Sequence, residues 1–466
     1  MDTSWLPDLA LDDGPKYLAL SRALRDAIRF GDLAEGTRLP TVRDLAWRLK
    51  VTPGTVSRAY QIVTQDGLLE ATVGRGTFVA AKAPRIEPKD TIFGEGPLRG
   101  GSNRIDMRSP SLPEVGQSAA IAEALRRIAG QNTADWLEYT SQTEEEPLRE
   151  AVREWLSARV LGPVSRQDIM LTHGGQNSIG LILACTLRGD RPVVLTEDLS
   201  YPGFRYAARA ARAEVIGIEL DGEGVRPDML EAACRRHGPQ VLCLTPAAQN
   251  PTAARMSAGR KAEIVSIARR YNLQIIEDEC YPGPMNDAPT LRALAPELVW
   301  FIGSLSKTVS AAVRFGYAVC PQGMGEVGRL TSQYSYFALS RVVAALCLDL
   351  FTSGQAAQIR DRVTAEYSDR LQIVVNRLGA FDLTWQADLP YVWLRLPNGW
   401  RASTFAQRGE EAGVLMRQAD QYAMVHGRAP NAVRLAVAGN CSRAELECGV
   451  NKLGQMLVRP PTDMAV

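Results

Sequence analysis

Four apolar runs, each closed at once by polar residues, constrain the fold of this chain more than anything else in it. They are "RPVVLTED" (191–198), "VLCLTPAAQNP" (241–251), "LQIIEDECY" (273–281) and "LVWFIGSLSK" (298–307). Unbroken β-rich runs of this length suit strands buried on both faces, and helical stretches separate them. That is the pattern of an α/β domain with a mostly parallel sheet. Ligands of such sheets gather at the carboxyl ends of the strands, so the residues closing each run are the ones to examine. With 466 residues the chain is too long for one core, and two or three domains are expected.

The first eighty residues follow a different pattern. Tyr17, Leu20, Leu24 and Ile28 share one helical face. Thr41 can cap a second helix with Val42, Leu45, Ala46 and Leu49 on its inner side. Thr52 and Pro53 open a third helix whose apolar stripe is Val56, Ala59, Tyr60 and Val63, ending at Gly67. "LLEATVGRGTFVA" then reads as a hairpin, or wing, around Gly74-Arg75-Gly76. Ten basic residues against six acidic fall between Lys16 and Ala80, on a chain whose net charge is only +1. Such a local excess favours a polyanion. On the third helix Thr55, Ser57 and Arg58 face away from the stripe, short hydroxyls beside a guanidinium that can reach a phosphate or a guanine edge. The whole stretch "GDLAEGTRLPTVRDLAWRLKVTPGTVSRAYQIVTQDGLLEATVGRGTFV" resembles the DNA-binding domain of the GntR family. The resemblance implies that Arg43, Thr55, Ser57, Arg58 and the wing at Gly76 meet DNA. It departs at Pro53, where family members often carry arginine.

From about Ala81 to Asn103 proline and glycine cluster and no apolar period persists, which reads as a linker. The domains expected are therefore a winged helix-turn-helix at 14–80, a linker at 81–103 and a large α/β domain at 104–466.

In the large domain the strand ends present Asn250, Asp278, Tyr281, Ser304, Ser306 and Lys307, with Arg314 seven residues further on. A pyridoxal phosphate site needs that inventory. The lysine forms the Schiff base, a carboxylate keeps the pyridine nitrogen protonated, and hydroxyls, arginine and helix-start amides take the phosphate. With three histidines, no H-E-x-x-H and no C-x-x-C among eight cysteines, neither metal catalysis nor a Ser-His-Asp triad is supported.

The order N-P-x-x, D-x-x-Y, S-x-S-K, then arginine resembles the fold type I aminotransferases from roughly Ile105 onward. Carried over residue by residue, the resemblance implies Lys307 as the internal aldimine lysine, Asp278 on the pyridine nitrogen, and Asn250 and Tyr281 on the ring hydroxyl. It puts Ser304, Ser306, Arg314, Gly175 and Gln176 on the phosphate and Tyr201 against the ring. Tyr139 matches the tyrosine that reaches the partner subunit's phosphate, and Arg434 the one that binds the substrate carboxylate. Two glycines of the family pattern are replaced here, one by Ala253 and one within "TEEEP" after Tyr139.

The two halves together resemble the MocR subfamily of GntR regulators. That implies a cytoplasmic homodimer, each head over its partner's body, that binds double-stranded operator DNA and senses a small amino compound through aldimine exchange at Lys307. The alternative is a working aminotransferase that carries a DNA-binding head. The N-terminal segment has acids where a signal peptide would carry lysines, which agrees with the cytoplasm. Amino acids, γ-aminobutyrate-like compounds, taurine and amino acids derived from compatible solutes all remain open as the effector. Arg205 offers either a second anionic contact or an ordinary exposed helix arginine.

Overall fold

The protein, seen in a computed structural model, is described for residues 5–7, 15–29, 31–65, 68–72, 76–80, 104–130, 137–281, 288–424, 429–437 and 439–460. It divides into two compact units, Met1–Thr91 and Ile92–Val466. The expected linker, the helix stop at Gly67 and the wing tip at 73–75 lie outside the described residues.

In the first unit, helices α1 (Lys16–Arg29), α2 (Val42–Arg48) and α3 (Pro53–Gln65) precede strands β1 (Leu69–Thr72) and β2 (Gly76–Val79). The local chemistry sets the helix starts. The Thr41 hydroxyl accepts from the Asp44 amide at 3.2 Å, and the Thr52 hydroxyl from the Thr55 amide at 3.3 Å. Each cap satisfies a donor that the first turn leaves unpaired. Leu20, Leu24, Leu45, Val56, Ala59, Tyr60 and Val63 are buried in one core, as the apolar stripes require. The Tyr60 hydroxyl donates to the Pro40 carbonyl at 2.9 Å, which satisfies its polar end inside that core. Strands β1 and β2 pair antiparallel, from Leu69 opposite Val79 to Thr72 opposite Gly76.

The second unit is built on a seven-stranded sheet. Its strands are β3 (Ile169–Thr172), β4 (Val193–Glu197), β5 (Glu214–Ile218), β6 (Val241–Leu244), β7 (Gln274–Asp278), β8 (Val299–Ser304) and β9 (Gly316–Val319). They lie in the order β3-β9-β8-β7-β6-β4-β5. The pairs from β8 through β5 are parallel, and β9 alone runs against both its neighbours. The four runs singled out in the sequence are thus β4, β6, β7 and β8. Their core positions are buried because apolar clusters cover both faces of the sheet.

A smaller antiparallel sheet follows, of β10 (Leu383–Thr384), β11 (Tyr391–Arg395), β12 (Arg417–Gln418) and β13 (Ala432–Ala436), in the order β10-β11-β13-β12. Its apolar face packs in a separate cluster that includes Val392, Leu394, Val433, Leu435, Leu446 and Leu453. Among the described residues no single helix is long and apolar enough to cross a membrane.

Leu24 is fully buried in the small first core. Leu24→Ala is expected to destabilise that unit by about 3 kcal/mol through lost burial and an unfilled cavity. Hydrogen exchange should rise in α1 to α3 and stay unchanged in the seven strands.

Candidate functional site

The strand ends do converge. Glu197 closes β4, Thr245 to Asn250 follow β6, Asp278 closes β7, and Ser304 to Lys307 follow β8. Opposite them the antiparallel β9 begins just after Arg314, and β3 runs into helix α4 (Gly175–Thr186).

Arg314 has φ 51°, a left-handed conformation that costs an L-residue about 1 kcal/mol or more. Its guanidinium lies over Gly174, where a Cβ would stand 3.0 Å from Nη2, and it donates to the His173 carbonyl at 3.1 Å. Gly174 precedes α4 with φ 90°, and the amides of Gly175 and Gln176 open the helix. First-turn amides have no intrahelical acceptor and carry the positive end of the helix dipole. A Cβ on Gly175 would meet Cys280 Sγ at 2.3 Å, so only glycine lets the helix start pass there. On the facing loop, Ser304 Oγ accepts from the Ser306 amide at 3.1 Å and lies 3.0 Å from Ser306 Oγ. Guanidinium, hydroxyls and free amides on facing elements form an anion cradle.

Asp278 is buried, and its Oδ1 accepts from the Cys280 amide at 2.8 Å. Burial pushes its carboxyl above the ordinary range, and among the described residues no cation is paired with it. A protonated ring nitrogen would supply the missing charge. The Tyr201 phenol, pushed up by burial, lies within electrostatic reach of Asp278, Cys280, Tyr281 and Arg314. Lys307 Nζ sits 5.7 Å from the Tyr281 ring, which packs edge-on against Tyr391 at 5.5 Å. This donor set therefore fits pyridoxal phosphate: an amine, a buried unpaired acid, aromatic rings and an anion cradle.

Asn250 and Arg434 meet directly, Arg434 Nη1 donating to Asn250 Oδ1 at 2.7 Å. Arg434 is 4% exposed although charged, and its guanidinium carbon lies 5.3 and 5.0 Å from the ring centroids of Tyr391 and Tyr422. Asn250 is tied further back. Its amide donates to Thr245 Oγ1 at 3.3 Å, and that hydroxyl donates to Glu197 Oε2 at 2.9 Å. Burial pushes Glu197 up to about 7, partly opposed by hydrogen bonds from Gln249 and Thr245. The replaced glycine at Ala253 matters to this loop. Ala253 has φ 60° and is fully buried, with its amide on the Gln249 carbonyl at 2.8 Å. The left-handed backbone is kept, at a cost of about 1–2 kcal/mol that the buried methyl offsets in part.

The remaining positions stand apart. Tyr139 is 76% exposed and stacks on Phe337 with ring centroids 5.1 Å apart. Its loop is held by Arg341, which donates to the Glu138 and Tyr139 carbonyls and to Glu144 of the "TEEEP" segment. Arg205 donates to the Ala423 carbonyl at 2.7 Å, so it fastens backbone. In the first unit, Arg43 and Arg58 are exposed while Thr55, Ser57 and Gly76 are half-buried. The Arg58 guanidinium lies 4.2 Å from the Tyr17 ring centroid, which presents it from a fixed base.

Glu197 and Thr245 were legible as polar residues closing strands, yet sequence reasoning passed over them. Tyr391, Tyr422 and Arg417 had no local signal, because only the small sheet and the turn that follows Gln418 bring them beside Arg434.

A fold of this kind, with a lysine, a buried acid and an anion cradle at the strand ends, defines the aminotransferase class of α/β domain. Here it follows a winged helix-turn-helix. The chain belongs to the family described as aminotransferase class I and II, matched over residues 109–453, and residues 16–79 match the bacterial regulatory proteins of the gntR family. The arrangement is that of the MocR subfamily.

An uncharacterized HTH-type transcriptional regulator, YdeF of Bacillus subtilis, is 27% identical over 97% of both chains. The "Probable rhizopine catabolism regulatory protein MocR" of Rhizobium meliloti is 24% identical over 78% of this chain and 77% of its own. Among solved structures, the α-aminoadipate aminotransferase LysN of Thermus thermophilus, complexed with N-(5'-phosphopyridoxyl)-L-leucine, superposes with a TM-score of 0.66. It is 25% identical, over 76% of this chain and 92% of its own.

Because the folded pKa of Glu197 lies above its unfolded value of 4.5, its contribution to stability is full below about pH 4.5 and lost as pH rises through about 7. Glu197→Gln should therefore match the wild type at pH 4.5 and exceed it at pH 8, by up to roughly 3 kcal/mol in urea unfolding.

Proposed function

We propose that this protein is a pyridoxal phosphate-dependent transcriptional regulator of the MocR type, binding operator DNA with its first unit and sensing an amino compound with its second. One observation carries the reading. A helix-turn-helix unit with a buried apolar core and with Arg43 and Arg58 exposed occurs in the same chain as a set of cofactor-type residues at the strand ends.

When bound, the cofactor supplies an aldehyde for an amine and an electron-withdrawing pyridinium ring. Lys307 would hold the aldehyde carbon, and Asp278 would hold the proton on the ring nitrogen. Asn250 and Tyr281 would take the ring oxygen, Tyr201 the ring face, and Ser304, Ser306, Arg314 and the Gly175 and Gln176 amides the phosphate. An effector amine would take the place that Lys307 would otherwise hold, and Arg434 would bind its acid group. Such an effector changes DNA binding only if it prefers one arrangement of the two units over another.

The DNA contacts are assigned to Arg43, Thr55, Ser57, Arg58 and the wing from Gly76. The domain limits follow the sequence reading: 14–80, a linker at 81–103, and 104–466. The active form is assigned as a cytoplasmic homodimer whose heads lie over the partner's body. The exposed Tyr139–Phe337 pair, with Tyr334 83% exposed nearby in sequence, supplies an apolar surface suited to a second copy, in which Tyr139 would reach the neighbouring phosphate cradle.

The second reading, a working aminotransferase, draws on the completeness of the same site. Steady-state assays with amino acids and a keto-acid acceptor separate the two: sustained product formation overturns the pure-sensor reading.

Arg58→Ala is expected to weaken operator binding about tenfold or more and leave the bound cofactor's visible absorbance intact. Lys307→Ala should remove that absorbance and spare DNA affinity in the absence of effector. Titration of a labelled operator alongside absorption spectra checks both.

A further inference from the structure

We propose that the effector carries two acid groups, and that Arg417 is the seat of the second, so that the site takes an amino dicarboxylate. The inference rests on Arg434 holding the first acid group, as proposed above.

Arg417 on β12 stands directly opposite Arg434 on β13 in the antiparallel register. Residues so paired send their side chains from the same face of the sheet, about 5 Å apart at Cβ. Both guanidiniums then turn to one acceptor. Arg434 Nη2 donates to the Arg108 carbonyl at 2.6 Å, and Arg417 Nε donates to the same oxygen at 3.1 Å. Two like charges held on a single neutral oxygen repel unless a counter-charge joins them.

Among the described residues none is paired with either guanidinium. Asp106 is the acid within electrostatic reach of Arg417, and Arg108 already grips it with Nε on Oδ1 at 3.0 Å and Nη2 on Oδ2 at 2.8 Å. That pair cancels, and among the described residues neither Arg417 nor Arg434 has an ion pair. Two positive charges are left gathered on one carbonyl beside Tyr422.

A second, independent feature points the same way. The Tyr422 hydroxyl is buried without a hydrogen-bond partner among the described residues, as is Arg434 Nε. The Tyr422 ring packs on Arg434 at 5.0 Å, and its phenol lies within electrostatic reach of both Arg434 and Arg417. An unsatisfied buried donor beside two guanidiniums is what an incoming anion would complete.

The two seats differ in depth. Arg434 is almost wholly buried, whereas Arg417 is half-buried. One carboxylate would enter the deep seat, and a second, a few bonds away, would meet Arg417 nearer the surface. An effector with a single carboxylate would leave Arg417 uncompensated, which is how a charge-pairing site rejects the neutral analogue.

The test uses the full chain loaded with pyridoxal phosphate and isothermal titration calorimetry. Succinate and glutarate are compared with succinamate and glutaramate, which keep the skeleton and lose one charge. Aspartate and glutamate are compared with asparagine and glutamine, with absorbance followed in parallel.

The diacids are expected to bind about tenfold tighter or more than their half-amides. Arg417→Gln should abolish the preference while leaving half-amide affinity within about twofold, and Arg417→Lys should keep part of it, since charge is what is read. Equal binding of diacid and half-amide, no measurable diacid binding, or a preference that survives Arg417→Gln would each overturn the two-acid seat. If the diacids bind as expected but aspartate and glutamate leave the absorbance unchanged, sensing through Lys307 fails and the seat stands.

Discussion

The hydrogen bond between Arg434 and Asn250 lies at the centre of the contact between the two sheets of the large unit. Arg434, on the small sheet, donates to Asn250, on the loop that leaves β6 of the large one. Around it the Tyr391 hydroxyl reaches the Ala248 and Gln249 carbonyls, both at 3.1 Å, and Thr245 links the loop to Glu197. A buried guanidinium is tolerated only when its donors are occupied and its charge has somewhere to go. Here two donors are occupied by protein acceptors and two aromatic rings lie close by, while among the described residues the charge has no ion pair. The cost of that arrangement is the physical reason for proposing Arg434 as a ligand seat.

The same logic governs the opposite end of the site. Among the described residues Asp278 is an acid without a paired cation, and Arg314, next to the first amides of α4, is a cation without an ion pair. Each is unfavourable alone, and each is complementary to one end of a phosphorylated pyridinium. Strain follows the same positions: Arg314 and Ala253 both hold left-handed backbone where an ordinary residue would avoid it. Sites of this kind store instability that a bound group relieves, which also raises the folded state's stability by mass action.

The two units are held by unrelated means. The winged helix rests on one small apolar core and on threonine caps, features that are local in sequence. In the large unit, the strands that carry the site come from segments more than a hundred residues apart, and several apolar clusters must form before the strand ends align. A change in the first core should therefore leave the cofactor residues in place.

The sequence by itself determined the elements and the type of chemistry. Helix caps, apolar stripes and unbroken strand runs depend on neighbours a few residues away, so the winged helix and the strands β4, β6, β7 and β8 could be read directly. The residues closing those strands could be read too, because parallel strands deliver their carboxyl ends to one edge whatever their order. The tertiary structure alone decided what lies across from them. That Arg417 stands opposite Arg434, that Tyr391 and Tyr422 both lie beside a guanidinium, and that Glu197 backs Asn250 through Thr245 all depend on strand register and on how one sheet meets another. Those are set by packing between distant segments, and no local pattern records them.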